Sequence, residues 1–182
     1  MNKIERQVLR LAKLFKTEMT RKSKLLKNEK YLTIAGACVK NGITYLTNAY
    51  YAAIFKKDYS YLPEIPLVDE KTYPPFDDFL VDVNRFAPIR GFFCLYTLEE
   101  TSVLVDGRPT VKFGEYYYDK KQVEELLKCV GLTLEKRDNS LFYLVPSGSL
   151  PLLLIKTEDF MGVVCPFLKQ IKGKKENDIK NS

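Results

Sequence analysis

Three aspartates lie close together in one segment of the chain, Asp77, Asp78 and Asp82. Carboxylate oxygens are the ligands that Mg²⁺ and Ca²⁺ prefer in proteins. The spacing of these residues fits no calcium-binding loop, and the chain has no histidine to complete a transition-metal site. We interpret them as polar residues of a surface segment around Phe79. A metal-dependent nuclease, or another metal enzyme that uses these aspartates, is the least favoured of three functional hypotheses.

The lack of histidine also excludes several kinds of enzyme. Ser-His-Asp and Cys-His nucleophile pairs, histidine acid–base catalysis and most zinc sites all need imidazole. The sequence contains neither a P-loop nor a GxGxxG motif. In its acidic doublets, such as Glu99-Glu100, neighbouring side chains point apart on a strand or helix, so they do not form catalytic pairs. The sequence therefore predicts a protein that is not an enzyme, with no catalytic residue, no metal and no cofactor.

Positive charge is concentrated at the two ends of the chain. Residues 1–30 carry ten Lys/Arg against three Glu, and residues 169–182 carry five Lys against two acidic residues. The part between them is mildly acidic, although the whole chain has a formal charge of +6. This distribution indicates that specific elements contact a polyanion. The polar composition of 169–182 predicts a basic disordered tail.

An amphipathic helix from Lys3 to about Met19 would carry much of the N-terminal charge. Ile4, Val8, Leu11 and Phe15 recur there at helical spacing, and the opposite side is basic. This pattern favours a solvated surface helix or a helix that faces phosphate groups. A membrane-surface helix is less favoured, because the apolar stripe has no tryptophan. The candidate DNA-binding residues on and after this helix are Lys3, Arg6, Arg10, Lys13, Lys16, Arg21, Lys22 and Lys24.

The segment Lys30–Lys57 predicts a β-hairpin. Asn41-Gly42 tolerates the positive φ that both central positions of a type I′ turn require, and the second strand continues into Thr47–Phe55. This stretch contains Tyr50 and Tyr51, in a chain with 12 Tyr and no Trp. Tyrosine suits sheet packing and also recognition, since it joins a rigid apolar ring to a polar tip. Both interpretations of the tyrosines stay open.

Beyond a proline-rich loop that runs to Phe76, the pattern predicts strands around a second helix. Asp119 caps this helix and Gly131 ends it. The predicted strands are Phe92–Leu98, Ser102–Val105, Val111–Tyr118, Leu132–Lys136, Leu141–Val145, Leu152–Lys156 and Val163–Phe167. The order of elements predicts an α+β fold, with helices on one face of antiparallel sheet, in two similar halves over 1–88 and 89–168.

The stretch GACVKNGITYLTNAYYAAIF resembles a segment of the bacterial sliding clamp, the beta subunit of DNA polymerase III. In that family a strand, a turn and a strand lead into a Thr-Asp-Gly motif, which stands here as Thr47-Asn48-Ala49. The segment Thr72–Phe76 resembles the Tyr-Pro segment between clamp half-domains. Two further segments, Pro151–Ile155 and Val163–Leu168, resemble the closing strands, with Cys165 where the clamp's Met-Pro motif has methionine. The resemblance covers about one clamp domain.

The resemblance implies a DNA-clamp-like fold: one clamp-like domain over residues 1–168, made of two helix-plus-antiparallel-sheet half-domains with the helices facing DNA. It adds Lys120 and Lys121 to the candidate DNA-binding residues. Clamp rings contain three such domains per chain, so a ring of this chain implies a homo-oligomer of about six copies. A smaller oligomer, or a monomer that binds clamp partners as a decoy, fits the sequence equally well. In the family, client peptides bind between the Thr-Asp-Gly motif of one domain and the Met-Pro motif of the next. The resemblance therefore implies partner binding at Thr47, Asn48, Tyr50 and Tyr51. These residues would face a second set on a neighbouring copy: Val164, Pro166 and Phe167.

The leading functional hypothesis is a non-enzymatic, sliding-clamp-like protein that binds protein clients or replication and repair factors, with double-stranded DNA held by basic helix faces. The alternative is a phage or mobile-element interaction or inhibitor module that uses the clamp fold without encircling DNA. The chain has no apolar run of membrane-spanning length and no secretory signal, so we expect a cytoplasmic protein without a membrane partner. Four separated cysteines are expected to be buried free thiols: Cys38, Cys94, Cys129 and Cys165.

Overall fold

The computed structural model describes residues 1–75, 97–147 and 150–167, with only the backbone at 146, 147 and 150. Helices and antiparallel sheets make up its regular structure, so the predicted α+β class is confirmed. Several predicted features lie outside the described residues: Asp77, Asp78 and Asp82, Cys94, the boundary between 88 and 89, most of the strand Phe92–Leu98, and the tail 169–182.

Helix α1 spans Lys3–Leu26, which confirms the predicted amphipathic helix and extends it by about two turns. Its first turn is held by a capping box. The side chain of Asn2 accepts a hydrogen bond from the N–H of Glu5 (2.9 Å), and the Glu5 carboxylate accepts one from the N–H of Asn2 (2.7 Å). Three of the four residues of the predicted apolar stripe are fully buried, whereas Ile4, in the first turn, is 39 % exposed. Packing of this stripe therefore turns the polar side of α1 to solvent.

Strands β1 (Ala37–Lys40) and β2 (Ile43–Thr47) form the predicted hairpin, with φ of 52° at Asn41 and 75° at Gly42. The second strand does not continue as predicted. A turn follows β2, and the chain returns as β3 (Tyr51–Phe55), which pairs antiparallel with β2. The segment is therefore a three-stranded meander rather than a hairpin with one long strand.

A small antiparallel sheet contains β4 (Glu99–Val105), β5 (Arg108–Phe113) and β6 (Tyr116–Asp119) in that order. The single strand predicted from 111 to 118 is wrong. Gly114, with φ of 62°, turns the chain between β5 and β6, so that the two strands pair with each other.

Helix α2 spans Lys120–Cys129 and follows β6 directly. Asp119 caps it as predicted, because its carboxylate accepts hydrogen bonds from the N–H groups of Lys121 (3.0 Å) and Gln122 (3.3 Å). Gly131 follows the helix with φ of 77°. This left-handed conformation is the one by which glycine ends a helix, as predicted.

A second meander contains β7 (Phe142–Ser147), β8 (Leu150–Lys156) and β9 (Phe160–Val164). The two meanders share a six-stranded sheet of order β1-β2-β3-β9-β8-β7, with β3 and β9 antiparallel at its centre. Helix α1 packs against β2 and α2. Helix α2 packs against β3 and β9 of the large sheet and against β5 of the small one. Each helix thus precedes one meander of the shared sheet.

Two other strand predictions differ from the structure. Residues 132–136 form a turn in which the N–H of Lys136 donates to the carbonyl of Thr133 (3.2 Å), so the predicted strand there is wrong. The last strand begins at Phe160 rather than Val163. The N–H of Thr157 donates to the carbonyl of Phe160 (2.9 Å), which closes the turn before β9. In both places local hydrogen bonds decide the backbone conformation.

Alternate residues of each strand point to opposite faces of the large sheet, and both sets include buried apolar residues. On one face Ala53, Leu153 and Val164 pack in the cluster that contains the apolar stripes of α1 and α2. On the other face Ile54 and Leu154 belong to a second buried cluster. Among the described residues, no helix combines the length and apolar composition of a membrane span.

Candidate nucleic-acid interface

The solvent-facing side of α1 carries positive charge and no negative charge. Its exposed cations are Lys3, Arg6, Arg10, Lys13, Lys16, Arg21 and Lys24. The two acidic residues of the helix, Glu5 and Glu18, are half-buried and lie outside this side. At 1.5 Å of rise per residue, the 24-residue helix is roughly 36 Å long, and these charges are spread along roughly 32 Å of it. We call this surface the basic face of α1.

Two cations of the basic face of α1 are paired with carboxylates. Arg10 forms an ion pair with Glu125 of α2, and Lys13 donates to Glu64 (3.1 Å). Glu125 is only 4 % exposed and also accepts a hydrogen bond from Gln7 Nε2 (3.3 Å). Arg10 therefore links α1 to α2. The Lys13–Glu64 pair is solvent-exposed at both ends and contributes little to stability.

The other five cations of the basic face of α1 have no ion pair within the described ranges: Lys3, Arg6, Lys16, Arg21 and Lys24. Three of them, together with Thr17 and Thr20, border a shallow depression of about 430 Å³ on the helix surface. Exposed cations without a carboxylate partner suit phosphate contacts, since each neutralised phosphate releases a condensed counterion.

The lysines of α2 have different surroundings. Lys120 donates to Glu100 of β4 (2.6 Å), and Lys128 donates to Glu125 of its own helix (3.3 Å). Lys121 is exposed and lies beside the C-terminal half of α1. The two neighbouring lysines that the sequence assigned to DNA binding therefore face different parts of the molecule. Only Lys121 joins the cations of α1.

An open groove of about 690 Å³ lies between the C-terminal half of α1, the turn before β3 and the start of α2. We call it the α1–α2 groove. It brings together residues to which the sequence gave separate roles. Its lining includes the candidate DNA-binding residues Arg21, Lys22 and Lys121 and the candidate partner-binding residues Asn48, Tyr50 and Tyr51.

The turn before β3 is built by two buried polar side chains, Thr47 and Asn48. The Oδ1 of Asn48 accepts hydrogen bonds from the N–H groups of Tyr50 (3.1 Å) and Tyr51 (3.2 Å). Its Nδ2 donates to Glu18 (2.9 Å), and the hydroxyl of Thr47 donates to a backbone carbonyl of the same turn (3.0 Å). Both candidate partner-binding side chains thus hold the turn in place.

Tyr50 and Tyr51 differ in exposure. Tyr51 is buried and packs edge-on against Phe15, with 5.1 Å between ring centroids, and burial raises the pKa of its hydroxyl. Tyr50 is 49 % exposed. The Nζ of Lys22 donates to the Tyr50 hydroxyl (2.7 Å) and lies 4.0 Å from the centroid of its ring. Tyr50 is therefore the candidate of this turn that is available to a ligand.

The remaining candidate partner-binding residues lie beside this turn within the same chain. Val164 of β9 pairs with Tyr51 of β3, and the N–H of Cys165 donates to the carbonyl of Tyr50 (2.9 Å). Val164 and Pro166 are buried, and Phe167 is half-buried. The two segments that the resemblance placed across neighbouring copies thus meet inside one chain, through the central strands of the large sheet.

Arg108 of β5 borders the α1–α2 groove, and the sequence analysis missed it. Its guanidinium lies 4.7 Å from the ring centroid of Phe167 and 3.1 Å from Asp119. These contacts join segments that are far apart in the sequence. The only local signal was a turn before the residue, which indicates nothing about a role in binding.

The described cysteines lie in two environments. Cys38 and Cys129 are buried as predicted, and burial raises the pKa of Cys129 to about 12. Cys165 is exposed, so its predicted burial is wrong; it follows β9, where the chain leaves the sheet. Across the described ranges, no group of His, Cys, Asp and Glu is arranged to hold a metal ion.

Comparison of the chain with protein-family models, with curated proteins and with solved structures gave no match. The fold and the interface define the molecule as an α+β protein with a basic helix face and an adjoining cationic groove. A more particular function has to be argued from these two features.

Proposed function

We propose that the protein is a non-enzymatic DNA-binding protein of the sliding-clamp type, which also binds replication or repair proteins. The basic face of α1 contacts the phosphate backbone of duplex DNA. One observation carries the proposal: a 24-residue helix presents seven exposed cations along one side and contributes no exposed carboxylate of its own to that side. Its length of roughly 36 Å matches about one turn of B-DNA. Phosphate contacts of this kind position a protein on DNA without reading the sequence.

The topology supports the clamp-like part of the proposal. The molecule contains two helix-plus-meander units, α1 with β1–β3 and α2 with β7–β9, whose last strands pair in one sheet. The apolar stripes of both helices belong to the same buried cluster. In a homo-oligomeric clamp, this arrangement directs the helices to the DNA and the large sheet away from it.

Charge reversal at three unpaired cations tests the proposal. Arg6, Lys16 and Lys24 are exposed and have no ion pair in the described part of the chain, so their substitution leaves the fold intact. Reversal of Arg10 or Lys13 is less informative. A glutamate at either position adds a second carboxylate beside an existing one and disturbs the contact between elements.

The triple variant Arg6→Glu, Lys16→Glu, Lys24→Glu should bind a mixed-sequence duplex about a hundredfold more weakly at low salt. The slope of log K against log salt concentration should become shallower by about 3, because three phosphate contacts are lost. Fluorescence anisotropy over a salt series measures both quantities.

A matched control changes the net charge equally at exposed lysines outside α1. These are Lys56, Lys71 and Lys136, each replaced by Glu. The control variant should retain most of the affinity. An equal loss in both variants contradicts the proposal, because the net charge of the protein, and not the basic face of α1, then governs binding.

A second candidate function is the interaction or inhibitor module, which the small sheet favours. Leu104 of β4, 63 % exposed, lies next to exposed Val103, and β4 is terminal among the described strands of this sheet. An apolar terminal strand suits contact with another protein. This function requires that the wild-type chain shows no affinity for duplex DNA at low salt, which the same anisotropy measurement decides.

A further inference from the structure

The α1–α2 groove has surplus positive charge. Four cations and two carboxylates border it: Arg21, Lys22, Arg108 and Lys121, with Glu18 and Asp119. Both carboxylates have partners within the chain. Glu18 accepts a hydrogen bond from Asn48 (2.9 Å), while Asp119 caps α2 and pairs with Arg108 (3.1 Å). The charge of the groove is therefore complementary to an anionic ligand.

A fixed aromatic ring lies among these cations. The ring of Tyr50 is about half exposed, and Lys22 holds it through the hydrogen bond to its hydroxyl (2.7 Å). The backbone of Tyr50 is fixed by hydrogen bonds with the side chain of Asn48 and with the N–H of Cys165, directly after β9. An exposed aromatic ring within a cationic groove is the arrangement by which proteins stack the bases of single-stranded nucleic acid.

The groove is continuous with the basic face of α1. Arg21 borders both the groove and the depression formed with Lys16 and Lys24 on the outer side of the helix. A strand that leaves a duplex on the basic face of α1 therefore reaches the groove at Arg21. Paired bases are stacked inside a duplex and cannot reach Tyr50, whereas an unpaired nucleotide presents a base face as well as a phosphate.

We propose that the α1–α2 groove binds an unpaired stretch of nucleic acid that adjoins the duplex on α1, with a base on Tyr50 and phosphates at Arg21 and Lys121. The protein then prefers a junction of single and double strands to a blunt duplex. This inference rests on the proposed function, because the duplex on the basic face of α1 delivers the unpaired strand.

The test compares one duplex in two forms, blunt and with a single-stranded overhang of about five nucleotides. Fluorescence anisotropy with the full chain should show about tenfold tighter binding of the overhang form, in keeping with one stacked base. Tyr50→Ala should remove most of this gain, because only the phosphate contacts of the overhang remain, and should leave the affinity for the blunt duplex unchanged.

Two tyrosine variants serve as controls. Tyr50→Phe retains the ring and should retain the gain. Tyr61→Ala removes another exposed tyrosine, 57 % exposed, which bonds Glu5 near the start of α1 and does not line the groove, and it should also retain the gain. A loss of the gain in Tyr61→Ala contradicts the assignment to Tyr50.

The outcomes separate this inference from the proposed function. Equal affinity for the two forms of the duplex overturns the inference, as does a gain that Tyr50→Ala leaves undiminished. Displacement of the overhang DNA by a poly-glutamate peptide at equal concentration assigns the groove to an acidic protein segment and also overturns it. Failure of the proposed function appears in the blunt duplex alone, as binding that does not respond to charge reversal on the basic face of α1.

Discussion

The polar sides of α1 and α2 contain similar residues but differ in the charge that they leave unpaired. Both helices are capped, amphipathic and packed against the same sheet. On α1, five of seven exposed cations have no ion pair in the described residues. On α2, Lys120 is paired with Glu100 and Lys128 with Glu125, so Lys121 is the one lysine of this helix without an ion pair in the described part of the chain.

The difference arises from what surrounds each helix. Helix α2 lies between the two sheets and α1, so carboxylates of β4 and of its own buried side reach its lysines. The outer side of α1 faces solvent, and a carboxylate of another element reaches it at only two of the seven cations in the described structure. Whether a cation is available to a phosphate thus depends on tertiary neighbours more than on helix composition.

The largest effect is expected on stability, from removing Arg10, the cation of α1 that pairs with the buried carboxylate of Glu125. Arg10→Ala leaves the buried carboxylate of Glu125 with Lys128 and Gln7 alone, which should cost about 1–2 kcal/mol of stability, since the Arg10 side chain is 46 % exposed. Arg6→Ala should change the free energy of unfolding by less than about 0.5 kcal/mol. Urea denaturation compares the two variants, and equal losses would show that Arg10 is not a link between the helices.

A smaller effect is expected from releasing a paired cation. Glu64→Gln removes the partner of Lys13 and adds a cation to the unpaired set, so duplex affinity should rise about two- to fivefold, with a salt slope steeper by up to about 1. The free energy of unfolding should stay within about 0.5 kcal/mol, because both side chains are exposed. Anisotropy and urea denaturation measure the two effects. An unchanged affinity removes Lys13 from the DNA contact.

The smallest effect is expected on the pKa of Glu100, which forms an ion pair from β4 with Lys120 of α2. The hydrogen bond from Lys120 lowers the pKa of Glu100 below its usual value of 4.5, so the pair stabilises the fold above that value, and the stabilisation is lost as the pH falls through the lowered pKa. Lys120→Met should return the Glu100 pKa to its usual range, as an NMR titration of the carboxyl carbon can show. An unchanged pKa would mean that Lys120 is not held by Glu100 in solution.

Local signals in the sequence predicted much of the fold. The apolar stripe of α1, the Asn41-Gly42 turn and the Asp119 cap each lie within one element, and all three are confirmed. The errors occur where the outcome depends on turns without a strong signal. Gly114 divides one predicted strand into two, and residues 132–136 form a turn because their hydrogen bonds close locally.

The candidate site was less accessible to sequence reasoning. The sequence indicates that Arg10 and Lys120 are cations but not that each has a carboxylate partner from another element. The α1–α2 groove is assembled from three separated segments, so neither its existence nor Arg108 is visible in any local pattern. The resemblance predicted roles for both Tyr50 and Tyr51, but only the folded turn shows that Tyr50 is exposed and Tyr51 buried.

The salt dependence of duplex binding tests the central claim most directly. Two neutralising double variants are compared with wild type, Arg6→Gln with Lys24→Gln on α1, and Lys120→Gln with Lys128→Gln on α2. The account predicts that the slope of log K against log salt concentration becomes shallower by about 2 for the α1 variant and stays unchanged for the α2 variant. An equal change in both variants, or no change in the α1 variant, would contradict it.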